Sequence, residues 1–398
     1  MAGTRSRITI PRYHSLDRLR AVLMLLGVVR HAAISYEPAA LEGWPYKDAQ
    51  VDILAHWVIV FIRVFQLPVF FAIAGFFAAY LVQTRGIPAF LRNRWSRIGV
   101  PFLVAWPVLA ATMYFAVTYA SRFSTVPPTH TYGRDELMSA EAVRYLFLHL
   151  WFLYHLMILC VVASGVRWLS VRVPERVRTW TLDLFERLLH RGGIAVLVLV
   201  TGTILYRMQS WAIDYYAGPI PTLRQMALWG LFFTVGWMLF CRRETLEGFK
   251  RPAWLHLAAG IVCFFVYRYF ADAGCHAGPD RICTGTSAVH HVGAVAFLSL
   301  SMWFLAYGLL GLFLRYMDEP SRRWRYIADA SYWIYLVHVP FVMLLPLLLR
   351  DMPLPGIVKL TLVTVTATGL ILAIYQYVVR PTFIGKQLNG RRYSRAAA

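Results

Sequence analysis

Apolar residues in this chain fall in blocks near twenty long, and that spacing constrains the fold more than any other feature of the sequence. About twenty residues of helix cross the ~30 Å hydrocarbon layer of a bilayer, where every backbone polar group must be satisfied within the segment. Of the 398 residues, 59% are hydrophobic and only 15% are charged. A soluble protein of this length needs more polar surface to cover its core. The sequence therefore predicts an all-α polytopic membrane protein, one integral domain over residues 1–398. Ten spans are expected, near 20–36, 53–82, 98–120, 145–168, 194–207, 226–241, 254–270, 290–314, 326–349 and 357–379. The second is too long for one straight helix and contains Pro68, which predicts a kink or an interfacial lead-in there. The fifth is short.

The formal net charge of +20 suggests a polyanion partner until its distribution is followed. Arginines recur in every second loop: Arg5, Arg7, Arg12 and Arg18; Arg85, Arg92, Arg94 and Arg97; Arg167 through Arg191; Arg242, Arg243 and Arg251; Arg315, Arg322, Arg323 and Arg325; and Arg391, Arg392 and Arg395. Intervening loops are richer in acids, among them Glu37, Glu42, Asp48 and Asp52. This is the positive-inside pattern, which excludes nucleic acid as a partner and puts both termini on the cytoplasmic side of an even number of spans. The first twenty residues are too polar for a cleavable signal peptide. Cys160, Cys241 and Cys263 fall in apolar spans as packing residues. Cys275 and Cys283 flank a short polar loop on the outward side, where a disulfide suits an oxidising compartment. No metal-binding cluster is read.

Ionisable side chains inside a span are costly, so each is a functional candidate. In the first span Arg20 and His31 lie eleven residues apart. That is about three turns, placing both on one helix face roughly 16 Å apart along the axis. Arg30 points about 100° away from His31, so the two need not share a site, and Arg30 is free to snorkel or pair elsewhere. Span four opens with His149 and Trp151, span nine carries Tyr335 and His338 at i, i+3, and Arg63 lies in the second segment. Together these residues suggest a polar cavity inside the bundle. Arg94 and Arg97 stand where a helix re-enters the membrane, and guanidinium groups bind phosphate through bidentate hydrogen bonds.

The run HSLDRLRAVLMLLGVVRH resembles the opening of the membrane acyltransferase 3 family, with Arg20 and His31 as its signature pair. The segment QLPVFFAIAGFF (66–77), the Arg94-Trp-Ser-Arg97 entry to the third span, HLWFL at 149–153 and SYWIYLVHVPF at 331–341 are similar to further family blocks in order. Ala74 stands where the family usually has Ser, and Val339 follows His338 where a second His is common. Within the family the likeness is nearest to members that add succinyl groups to periplasmic glucans. The resemblance implies an inner-membrane enzyme with no bound cofactor, taking acyl-CoA from the cytoplasm and acylating a carbohydrate outside. On that reading Arg94, Arg97 and Arg63 bind acyl-CoA, Arg20 (oriented by Asp17) guides it, and His31 is the general base. His338, Tyr335 or Arg63 would stabilise the oxyanion or an acyl carboxylate, with His149 and Trp151 in support. Rival readings are an O-acetyltransferase of lipopolysaccharide or another envelope polysaccharide, a solute transporter or flippase, and a non-catalytic membrane partner.

Overall fold

The computed structural model describes residues 13–38, 44–124, 146–190, 193–208, 211–274 and 287–389. Among these every regular element is helical. The principal helices are α1 (His14–Ala33), α2 (Ile53–Arg94), α3 (Val100–Ala120), α4 (Trp151–Ser170), α5 (Glu175–His190) and α6 (Ile194–Tyr206). They continue as α7 (Leu223–Cys241), α8 (Ala253–Gly274), α9 (Ala288–Tyr316), α10 (Arg322–Leu344), α11 (Gly356–Ile374) and α12 (Phe383–Asn389). Local signals set several starts. The side chains of Asp52, Thr222, Ser287 and Ser321 accept N–H bonds from Leu54, Gln225, His290 and Trp324, capping α2, α7, α9 and α10.

Among the described residues, eight helical runs are long and apolar enough to cross a membrane, against the ten expected. Two elements account for the difference. The run Ile53–Phe123 has 71 residues; at about 1.5 Å each this far exceeds one crossing. Its far end returns to the end of the bundle where it began: the Lys47 N–H donates to Ser124 Oγ at 3.0 Å. Spans two and three are therefore two limbs of one helical run. The turn is made at Gly86, which has a φ of 77°, and through a π-helical turn over Trp95–Gly99. Pro68, where a kink or an interfacial lead-in was expected, sits inside α2 with helical dihedrals, and the residue of this helix that leaves the helical region is Gly86. Arg92, Arg94 and Arg97, read as loop residues, are accordingly helical. The other element is α6, whose 13 residues extend about 20 Å, short of the hydrocarbon thickness. The stretch Arg167–Arg191, read as a loop, contains α5, which Arg242 at the end of α7 holds through Asp183 and, at 3.2 Å, Glu186. Cys275 and Cys283 lie outside the described residues; Cys160, Cys241 and Cys263 are free thiols.

α1 is the axis of the bundle and packs against α2, α9, α10 and α11. At one end Tyr13 packs edge-on against Phe76 at 4.8 Å, the Ser15 N–H reaches Asp318, and Arg97 reaches the Leu388 carbonyl. Both described chain ends, Tyr13 and Asn389, thus lie at this end, together with Arg18 and Arg97. At the opposite end the Asp48 N–H bonds the Ser35 carbonyl, the Ile357 N–H bonds Asp52, and Lys359 pairs with Asp48 at 2.9 Å.

Candidate active site

Three helical segments converge on His31 near the end of the bundle away from the termini. α1 carries Arg30 and His31 in its last turn, α10 carries Tyr335 and His338, and a 3₁₀ turn ahead of α4 carries His149. His31 Nδ1 lies 2.8 Å from His338 Nε2, and the two rings stack at 5.0 Å. The partners fix the tautomers. His338 Nδ1 faces the carbonyls of Tyr335 (2.9 Å) and Ile334 (3.1 Å), so it carries the proton and donates. In the neutral ring Nε2 must then accept, so His31 Nδ1–H is the donor between them. That leaves His31 Nε2 as the acceptor, and Arg30 Nη2 donates to it at 2.9 Å. The result is a directed chain from Arg30 through His31 and His338 to a helix carbonyl.

His149 flanks this chain, its ring 5.2 Å from that of His338. Its Nε2 donates to the Leu336 carbonyl at 3.2 Å, and the Tyr335 hydroxyl donates to the His149 carbonyl at 2.7 Å. Tyr335 and His149 therefore tie α10 to the start of α4. Trp44, in the α1–α2 connection, lies nearly parallel to His31 at 6.2 Å, and its indole N–H donates to Ser35 Oγ. A fully buried ion pair holds this connection down. The side chains of Lys359 and Asp48 are both 0% exposed, and the Tyr46 hydroxyl donates to Asp48 at 3.1 Å. Burial and the Asp48 carboxylate push the Tyr46 phenol up, so that it stays a donor.

Arg63 enters from the first half of α2, while Arg94 is that helix's last residue, so the structure separates Arg63 from the arginines with which the sequence grouped it. Its guanidinium stacks over Tyr215 at 4.4 Å and donates to the Ile213 carbonyl at 2.5 Å. Arg30 faces the same ring at 6.0 Å. The helical wheel left open whether Arg30 shares the His31 site, and in the structure it does. A helical wheel gives the direction of the Cβ, not the reach of a long side chain, and the Arg30 guanidinium bends back to its neighbour. Trp151 lines the adjoining wall with Tyr215 (5.7 Å) and Trp229 (6.2 Å). His155 is buried there with Nδ1 on the Trp151 carbonyl at 2.8 Å. His31, Arg30, Arg63, Tyr215, Trp151 and Tyr335 each keep some accessible surface despite their helical or packed surroundings, as side chains lining a polar space do. Tyr215 and Trp44 lie in connections without helical periodicity, so no pattern in the sequence flagged them.

The second cluster sits at the termini end. Arg20 pairs with Asp17 at 3.4 Å one turn earlier on α1. Arg94 and Arg97 lie close enough to Arg20 for their charges to interact. Arg94 stacks over Phe90 at 5.4 Å, and its buried Nε has no partner among the described residues. Beside them opens a cavity of about 290 Å³ lined by His14, Asp17, Arg18, Arg322, Trp324 and Arg325. α1 thus joins a basic mouth at one end to a histidine chain near the other.

Residues 13–376 match a family model described as "Acyltransferase domain", a stretch that takes in every residue of both clusters. The chain is 24% identical over 349 residues to "Glucans biosynthesis protein C" of Salmonella paratyphi B, Salmonella agona and Salmonella dublin. Each alignment covers 85% of this chain and 84% of the relative. No solved structure matches the chain significantly.

Proposed function

This chain belongs to the acyltransferase domain family, is a membrane acyltransferase, and on that premise we propose that it moves an acyl group, succinyl in our reading, from cytoplasmic acyl-CoA to a hydroxyl of a periplasmic glucan. The observation that carries the reading is the hydrogen-bonded chain Arg30–His31–His338 inside a helical bundle, with a basic mouth at the other end of the same helix. Arg94 and Arg97, with Arg20 beside them, hold the phosphates of CoA at the mouth. The acyl-bearing arm runs along α1 toward His31. A sugar hydroxyl takes the place of the Arg30 N–H at His31 Nε2. It then attacks the thioester carbonyl as His31 removes its proton. The C–O bond forms, the C–S bond breaks, and the leaving thiolate receives a proton, giving an ester and free CoA. His338 holds His31 in the tautomer that presents Nε2 and shares the charge that His31 gains. Base catalysis of this kind contributes about two to four orders of magnitude in rate. No Ser or Cys hydrogen-bonded to a base stands at the site among the described residues, which favours direct transfer over an acyl-enzyme. The likeness to glucans biosynthesis protein C supports a glucan acceptor, and the paired basic loops support a cytoplasmic donor side.

The test is mass spectrometry of periplasmic glucans from a deletion strain re-expressing the chain or its His31→Ala variant. A constant added mass with the wild type alone supports the reading and names the acyl group. Unchanged glucans in both strains remove the acceptor and turn attention to envelope polysaccharide acetylation. For the donor end, changing Arg94 and Arg97 together to Ala should raise the KM for acyl-CoA about tenfold or more, each lost charge-assisted hydrogen bond weakening phosphate binding. An unchanged KM takes both out of CoA binding.

A further inference from the structure

Two guanidinium groups share one wall of the histidine site with no anion between them among the described residues. Arg30 from α1 and Arg63 from α2 both face the Tyr215 ring, at 6.0 and 4.4 Å. Arg30 donates to the imidazole nitrogen of His31, Arg63 to the Ile213 carbonyl, and among the described residues neither meets a carboxylate. The buried Nε atoms of both, and the Tyr215 hydroxyl, have no hydrogen-bond partner among those residues. Paired cations inside a helical bundle with no counter-charge among the described residues are costly, and in membrane proteins such charges mark substrate or ion pathways. The unfilled groups here are N–H donors and one phenol O–H. Each of these groups can donate, which matches the needs of a carboxylate, which accepts on both oxygens and takes a guanidinium fork in two bonds.

We propose that Arg30, Arg63 and Tyr215 form a carboxylate-reading subsite, which binds the free end of a short dicarboxylic acyl group while the thioester carbonyl lies at His31. This rests on the acyl-transfer reading above and specifies its substrate class. One hydrogen bond of 2.9 Å separates the subsite from His31, so an acyl chain of a few carbons reaches from one to the other. The same bond gives the subsite a second effect. A carboxylate is a stronger partner for Arg30 than a neutral imidazole, so its arrival draws the guanidinium off His31 Nε2 and leaves that lone pair for the sugar hydroxyl. An acyl group ending in a methyl offers Arg30 nothing, and His31 stays occupied. Selection for the dicarboxylic donor thus acts on the rate as well as on binding.

Two measurements on the purified full-length chain in lipid nanodiscs test this. In the first, monomethyl succinate, acetate and inorganic phosphate are compared for thermal stabilisation of the wild type, Arg63→Gln and Tyr215→Phe. Stabilisation by monomethyl succinate above the other two anions, lost in both variants, supports the subsite. A shift that survives in both variants, or one produced more strongly by phosphate, overturns it and points to a phosphate or lipid headgroup. In the second, succinyl-CoA and acetyl-CoA compete for a glucan acceptor with products read by mass. Arg63→Gln should lower the succinyl-to-acetyl selectivity about 10- to 100-fold through loss of a charge-assisted hydrogen bond, and Arg30→Met should lower it by relieving the block on His31. An unchanged ratio overturns the proposal. If Arg63→Gln fails to fold, Tyr215→Phe removes one hydroxyl alone and carries both tests. Carboxylate stabilisation through Arg63 in a wild type that transfers neither acyl group supports the subsite and sinks the transfer reading.

Discussion

At the scale of single residues, the chain Arg30–His31–His338 assigns each ring nitrogen one partner, and the assignments make His338 a positioning residue for His31. His338→Ala removes the acceptor that fixes His31 Nδ1–H, so the ring can turn or change tautomer. The turnover rate should fall about 10- to 100-fold, the cost of losing a group that orients a metal-ligating histidine being taken as the guide, with the donor KM unchanged. His338→Gln, whose amide oxygen can accept the same proton, should recover part of the loss. Initial rates of CoA release over the two variants decide this. Equal rates for Ala and Gln would reduce His338 to packing. Arg20 and His31 were legible because their spacing alone places them on one face of a helix, and His338 with Tyr335 for the same reason. Trp44, Tyr215 and the Arg30 contact were not, because a connection has no period and a long side chain is not bound to its wheel direction.

At the scale of elements, two glycines set how closely the helices carrying the site approach. A Cβ on Gly75 of α2 would come within 1.9 Å of the Phe233 carbonyl oxygen, and one on Gly236 of α7 within 1.7 Å of the Ala72 oxygen. The two helices therefore cross backbone to backbone, a contact that small residues permit and that membrane helices use for association. Gly75→Ala should push α2 and α7 apart at a cost of about 1–3 kcal/mol or more, with a matching loss in thermal stability of the detergent-solubilised protein. An unaltered unfolding temperature would mean that the crossing yields easily. The sequence marked the Ala74-Gly75-Phe76 segment only by family resemblance; its physical reason lies on α7, more than a hundred residues away in the chain. Pro68 keeps helical dihedrals, and the reversal of the run comes later. Proline signals a break locally, whereas the chain turns at Gly86, where a positive φ is needed to send α2 back as α3.

At the scale of the whole molecule, the buried Lys359–Asp48 pair joins the α1–α2 connection to α11, and so fixes the segment bearing Trp44 over His31. With both side chains fully enclosed, removing one partner leaves a charge that water cannot reach. Lys359→Met should cost about 3–5 kcal/mol, and adding Asp48→Asn to it should restore much of that. Equal thermal stability of the single and double variants would show that the charge is not what matters.

The same frame carries the orientation. Ten apolar segments were legible as hydropathy, and basic segments on alternate turns of the chain gather at the end that holds both described chain ends. If the positive-inside rule governs here, that end faces the cytoplasm, the arginine mouth meets CoA, and the histidine chain opens to the periplasm. In a background lacking Cys275 and Cys283, a cysteine at Asp351, whose side chain is 86% exposed beside the Lys359 staple, should react with an impermeant maleimide on intact spheroplasts. One at exposed Arg322, beside the cavity near Arg20, should react only after permeabilisation. The opposite pattern would place His31 on the cytoplasmic side. A periplasmic acceptor could not reach it, and transfer across the membrane would have to be abandoned even if acylation itself survived.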